Sequence, residues 1–186
     1  MKIRYLLLGI IILASVLRFI NLGQVPYGLS NDESSYIYSA YSLWKTGEGI
    51  DGTFLPLSFN TDSSNSPVPV YLSAPFVGLL GVSAEAGRLP YILLGIGSIY
   101  LVYLLVKLLF DNEVIALLSA AVLSISPWHL HVTRTAYDTV FAMFFLLFGT
   151  YLFVRGLKKG SILWSLIPFF LAFYSYHATS LFLFFF

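Results

Sequence analysis

Apolar runs recur along the chain at about 5–20, 68–82, 90–109, 113–127, 139–154 and 161–180, separated by short polar or basic breaks. A helix needs roughly 20 residues to cross a hydrocarbon core. The 68–82 run is too short for that, and Pro67, Pro69 and Pro75 interrupt its first turns. The other five runs read as spans. The first is an uncleaved span rather than a signal peptide, because Asn21-Leu22-Gly23 is a poor cleavage site.

Basic residues fix the direction of crossing. Lys2 and Arg4 put the N-terminus in the cytoplasm, and Lys107 and the Arg155–Lys159 cluster join them there only if 68–82 does not cross. That run is then a juxtamembrane or re-entrant helix on the outer side. The first span leads out into a long outer loop, 21–88. A hairpin follows through a cytoplasmic turn at Phe110-Asp111-Asn112-Glu113. Residues 128–138 return to the outer face, and the last span leads out toward His177.

Composition agrees. Of 186 residues, 58% are hydrophobic and 10% charged, with mean hydropathy +0.84. Soluble domains carry about 25% charged residues, so this is an all-α, multi-pass membrane protein with outer-side juxtamembrane helices. Seventeen Phe and thirteen Tyr suit lipid-facing surfaces and interfacial belts. A net charge of +1 leaves no clustered basic face for nucleic acid. The lack of cysteine excludes disulfides, thiolate metal sites and thiol nucleophiles. The chain reads as one transmembrane domain over 1–186, and its end inside the apolar stretch Leu181–Phe186 suggests the N-terminal portion of something longer.

The topology sorts the charges. Asp32, Glu33, Glu48, Asp51, Asp62, Glu85, Arg88, His129, His131, Arg134 and Asp138 gather on the outer side, and the span middles carry none. Ion-coupled transporters keep ionisable groups at membrane depth, so the chemistry here belongs to one rim. Ser30-Asn31-Asp32-Glu33 has the form of a capping box. It starts a helix with Tyr36, Ile37, Ala40, Leu43 and Trp44 on one face, lying at the membrane surface and ended by Gly47. Capping explains Glu33 better than Asp32. His129, His131 and Arg134 form a cationic cluster in which Arg can hold a phosphate bidentately. Trp128 and Tyr137 beside them suit simple interfacial anchoring. Asp138 follows Thr135 at a cap-like spacing. Arg88 can meet a lipid phosphate or pair with Glu85 one turn away. His129-x-His131 lacks further metal ligands at convincing spacing, so a divalent metal is possible but not indicated.

Arg18-Phe19 closing the first span, Asp32-Glu33 before a surface helix, Ser66-Pro67-Val68-Pro69 at a second, Arg88-Leu89-Pro90 opening a span, and Ser126-Pro127 with Arg134 and Asp138 form an ordered series. Its order resembles the N-terminal part of the integral-membrane C-type glycosyltransferases (GT-C), in particular the protein O-mannosyltransferase and aminoarabinose-transferase group. Relatives often carry a basic residue where this chain has Asn65-Ser66. The resemblance implies a polyprenyl-phosphate-linked sugar donor used on the extracytoplasmic face, with inversion at the sugar and an acceptor protein, lipid or glycan. Asp32 is then the base, Glu33 supports it, and Arg134, Arg88 and His131 receive the donor phosphate. The competing expectation is a non-catalytic subunit that binds or flips a lipid carrier.

Overall fold

The computed structural model describes residues 2–59 and 65–179. Asp62 and the apolar stretch Leu181–Phe186 lie outside the described residues. The elements with described bounds are α1 (Lys2–Phe19), α2 (Asn31–Thr46), α3 (Pro67–Leu80), α4 (Ala84–Phe110), α5 (Glu113–Ile125), α6 (Pro127–Arg134), α7 (Thr139–Lys159), a 3-10 turn (Leu163–Ser165) and α8 (Leu166–Phe173).

Two of these helices, α4 and α7, are long and apolar enough to cross a membrane. The pair α5 and α6 makes a third if counted as one span, bent by 58° at the break. This confirms an all-α membrane protein but not a count of five. Helix α1 has 18 residues and carries Lys2, Arg4 and Arg18, and α8 has only eight residues.

Three apolar clusters hold the bundle. Ala14 of α1 packs with Ile99 and Tyr103 of α4 and with Ala116, Leu117 and Ala120 of α5. Tyr91 of α4 packs with Val140, Phe141 and Phe145 of α7 and Ala172 of α8. The third cluster joins α2 to α3 through Tyr36, Ile37, Ala40, Leu43, Val70, Ala74 and Val77. The apolar face of α2 is therefore turned onto α3 instead of onto lipid. Only Trp44 of the expected stripe stays substantially exposed, at 44%.

Prolines act differently from expectation. Pro67 starts α3 instead of breaking it, because the first-turn N–H groups of a helix have no intrahelical partner to lose. Similarly, α4 begins at Ala84, where the Ser83 hydroxyl accepts from the Ala86 N–H, and Pro90 lies inside the helix. At the far end, Asn112 caps α5 by accepting from the N–H groups of Val114 and Ile115. Lys107 pairs with Glu113 there, and the Lys158 ammonium donates to the Leu108 carbonyl. Basic side chains thus collect at the end opposite α2 and α3.

Candidate functional site

The rim is built on one buried ion pair. Ser30 caps α2 and Glu33 completes the box: the Glu33 N–H donates to Ser30 Oγ, and the Ser30 N–H donates to Glu33 Oε2. Glu33 is also the anchor of Arg88. The Arg88 Nε–H donates to Glu33 Oε1 at 2.8 Å, and a second guanidinium N–H donates to Oε2 at 3.3 Å. The remaining Arg88 donors reach the carbonyls of Leu22, Pro26 and Gly28. Glu33 Oε1 accepts once more, from the Ala136 N–H.

Arg88 is fully buried and Glu33 nearly so. All five guanidinium N–H groups are used, as are the four acceptor positions of the carboxylate. Burial alone raises the Glu33 pKa. Arg88 and the N–H donors of Ser30 and Ala136 outweigh it and hold the carboxyl below its ordinary value. The expected pairing of Arg88 with Glu85 is replaced by this longer-range pair. Arg88 in this arrangement has no N–H left for a phosphate. It ties three segments, the 22–28 loop, α2 and the approach to α7, to the start of α4.

Asp32 stands apart. It is exposed on the first turn of α2, one residue from an immobilised neighbour. Asp138, at the start of α7, makes no side-chain cap bond to its helix. Instead its Oδ2 accepts from the Tyr36 hydroxyl at 3.0 Å, and that same hydroxyl accepts from the Ser66 N–H at 3.0 Å. Burial holds the Asp138 carboxyl above its usual value, and the charge of Asp32 adds to this. The Tyr36 bond, the Thr139 backbone N–H and His177 partly oppose the rise. Two carboxylates, a buried tyrosine and a histidine therefore lie near one another at the N-terminal ends of α2 and α7. Burial and the charge of Asp138 in turn push the Tyr36 hydroxyl upward, so Tyr36 stays a proton donor to Asp138.

The other cations are clamps. Arg134 donates to the carbonyls of Leu17, Ile20 and Val25, closing the C-terminal end of α1, where a cation is favoured by the helix dipole. Its Nε has no partner. Arg18 is buried and donates to Thr133 Oγ1, to the Ala14 and Ser124 carbonyls, and to His129 Nδ1. A guanidinium cannot accept, so His129 Nδ1 is the unprotonated nitrogen. His131 is exposed, with its ring 6.5 Å from that of Tyr137. His129 and His131 thus part company, and no group of three or more potential metal ligands forms among the described residues.

Two cavities open at this end of the bundle, one against Thr139 and the other against Ser66 and His177. An apolar groove of about 610 Å³ runs along α7, lined by Thr139, Met143, Leu146, Leu147, Phe169 and Tyr176 among others. A smaller and more polar cavity of about 310 Å³ lies among Ser58, Asn65, Ser66, Tyr174, Tyr176 and His177.

The sequence matches a family model described as dolichyl-phosphate-mannose-protein mannosyltransferase over residues 64–186. The chain belongs to that family. Two Bacillus subtilis (strain 168) proteins are similar to it. One, named "Putative mannosyltransferase YkcB", is 32% identical over 56% of this chain and 14% of its own length. The other, named "Putative mannosyltransferase YycA", is 31% identical over 63% of this chain and 17% of its own length. The chain therefore spans a small fraction of these mannosyltransferase-like relatives. No solved structure matches it significantly. The family match begins after α2, so it includes Arg88, His131, Arg134 and Asp138 but neither Asp32 nor Glu33.

Sequence reasoning missed Tyr36 and Asn65 as rim residues and gave Asp138 only a capping role. Tyr36 was legible as an apolar-face residue, and nothing local to it signals a hydroxyl shared by Asp138 and Ser66 across long chain separations.

Proposed function

We propose that this chain forms the rim of a glycosyltransferase that moves a sugar from a polyprenyl-phosphate donor to an acceptor on the extracytoplasmic face. Asp32 is the base in this reading. The acceptor oxygen attacks the anomeric carbon while its proton passes to the Asp32 carboxylate. The bond from that carbon to the phosphate oxygen breaks, and the lipid phosphate leaves with the electron pair, giving inversion. Family membership supports the reaction class. The observation that carries the residue assignment is the contrast within the acidic pair: Glu33 is buried and saturated, whereas Asp32 is exposed beside Asp138. Asp138, whose affinity for a proton is raised, is a ready second stop for the proton that Asp32 removes.

Arg134 and the exposed His131 are the phosphate-binding groups in this scheme, and Arg88 serves them by fixing the loop. The apolar groove along α7 suits a polyprenyl chain, since it starts beside Asp138 at Thr139. The side of the membrane follows from the basic end at Lys107, Arg155 and Lys158, which the positive-inside rule puts in the cytoplasm.

The test is sugar transfer by the intact protein from dolichyl-phosphate-mannose or other defined polyprenyl-phosphate sugars. Asp32→Asn is expected to lower transfer at least 100-fold, within the ~10²–10⁴-fold contribution of a general base, with normal membrane insertion. Wild-type rates in that variant would remove Asp32 from the chemistry.

A further inference from the structure

We propose that the cleft between Lys107 of α4 and Arg155 and Lys158 of α7 binds the phosphate of a bilayer lipid with a single negative charge, of the phosphatidylglycerol kind. The inference does not depend on the glycosyltransferase reading.

The cleft is built where two helices end. The C-terminal part of α4 supplies Lys107, and that of α7 supplies Arg155 and Lys158 one turn apart. With Tyr103 and Tyr151 they line a cavity of about 410 Å³. The positive-inside rule accounts for cations at this end, but it does not call for a cavity between them.

Two of the three cations have partners in the fold. Lys107 pairs with Glu113 and lies 6.0 Å over the Tyr103 ring. Lys158 donates to the Leu108 carbonyl near the end of α4, where the helix dipole favours a cation. Arg155 is left over. It is exposed, and nothing among the described residues pairs with it. Three cations against Asp111 in the wall and Glu113 on Lys107 leave one positive charge in excess. That excess matches one phosphodiester. The Arg155 fork can hold two of its oxygens, and the spare ammonium N–H groups of Lys158 can reach another.

Depth points to a lipid instead of a soluble anion. Arg88 at the rim and Lys107 at the cleft stand roughly 28 Å apart along α4, at about 1.5 Å per residue. The hydrocarbon core is about 30 Å thick, so the cleft falls at the headgroup level of the leaflet opposite the rim. Phe110 and Leu157, next in sequence to its lining, are exposed and suit acyl chains. In the proposed orientation this is the cytoplasmic leaflet, whose anionic lipids settle in basic pockets between membrane helices.

The experiment titrates the intact protein, in uncharged detergent, with phosphatidylglycerol and phosphatidylcholine of matched acyl chains, and native mass spectrometry counts the bound lipid. Phosphatidylglycerol is expected to bind roughly 10-fold tighter or more. Arg155→Gln, which removes no contact within the fold, is expected to lower that affinity about 5-fold, the effect of one basic side chain near an anionic lipid. Phosphatidylcholine binding stays unchanged, and Arg155→Lys retains most of the preference. Arg4→Gln removes an exposed cation from the start of α1 and leaves the preference intact. Millimolar inorganic phosphate does not displace the lipid, and binding of dolichyl phosphate is insensitive to Arg155→Gln. Asp32→Asn keeps the preference even where it stops transfer, so failure of the base and failure of the cleft are distinguishable. The proposal is overturned if wild type binds both lipids alike, or if the preference survives Arg155→Gln or falls equally with Arg4→Gln. Displacement by inorganic phosphate, or loss of dolichyl phosphate binding in Arg155→Gln, would overturn it as well.

Discussion

Two adjacent carboxylates have opposite fates here, and hydrogen bonding decides which. Glu33 accepts from Arg88, Ser30 and Ala136, so its charge is part of the fold. Its folded pKa lies below the ordinary 4.5. A depressed carboxyl stabilises the fold fully above the unfolded value and loses that contribution as pH falls through the folded one. Glu33→Gln should therefore cost stability at pH 7 and progressively less below about pH 4. Denaturant titrations of both proteins in micelles from pH 7 to 3 would show this, and a constant gap across the range would contradict it. Removing the cation is harsher. Arg88→Leu strands a buried carboxylate, a change that costs about 3–5 kcal/mol, and should appear as a large loss of folded protein after extraction. Burial raises Asp138, by contrast, so it opposes Glu33 in the acid range. The local sequence already gave Glu33 its capping role, through S-x-x-E. It did not show Arg88 as the partner, because the two lie 55 positions apart and no periodicity links them.

Helices were legible where they are long or capped. The box at Ser30, the left-handed Gly47 at φ 73° that ends α2, and the turn at Asp111 with its Asn112 cap all lie at the expected places. Misreadings came where proline was taken as a breaker. Pro67 is a helix starter, and Pro75 is carried inside α3. The partner of an amphipathic face was also illegible: a stripe such as Tyr36, Ile37, Ala40 and Leu43 suits a membrane surface and α3 equally well. Close helix approach is another feature that only the fold reveals. At Gly95 of α4 an added Cβ would sit 2.4 Å from Thr133 Cγ2 and 2.8 Å from its Cβ. Thr133 also receives the Arg18 Nε–H. Gly95→Val should thus push α6 from α4 and weaken the Arg18 clamp together, costing about 1–3 kcal/mol as overpacking does. The thermal midpoint in detergent reads this out. An unchanged midpoint would mean that α6 is not held against α4.

The bundle separates its charges end from end. Most described carboxylates collect with the histidines near α2 and α3, and Lys107, Arg155 and Lys158 collect around a cleft at the other end, where Asp111 and Glu113 are their only acidic neighbours among the described residues. The chain contains no cysteine, so single introduced thiols report sidedness without background. Tyr27 is 99% exposed at the rim, and Ser161 is exposed past the basic end of α7. A membrane-impermeant thiol reagent should label Tyr27→Cys in intact cells and Ser161→Cys only after permeabilisation. The reverse pattern would invert the proposed orientation. The class of the molecule was readable from its hydropathy, whereas the number of crossings was not. Residue counts alone cannot tell a straight span from a 58° bend between α5 and α6.

The Arg134 clamp on α1 also has a meaning in time. Its carbonyl partner at Leu17 lies 117 positions earlier. At a synthesis rate of about 5–20 residues per second, that separation is roughly 6–23 s. For most of that interval the ribosome has delivered Asp32 but not the side chain that closes the loop ahead of it. The candidate base reaches its side of the membrane early, on an unfinished platform, and the loop ahead of it is clamped only once α6 emerges.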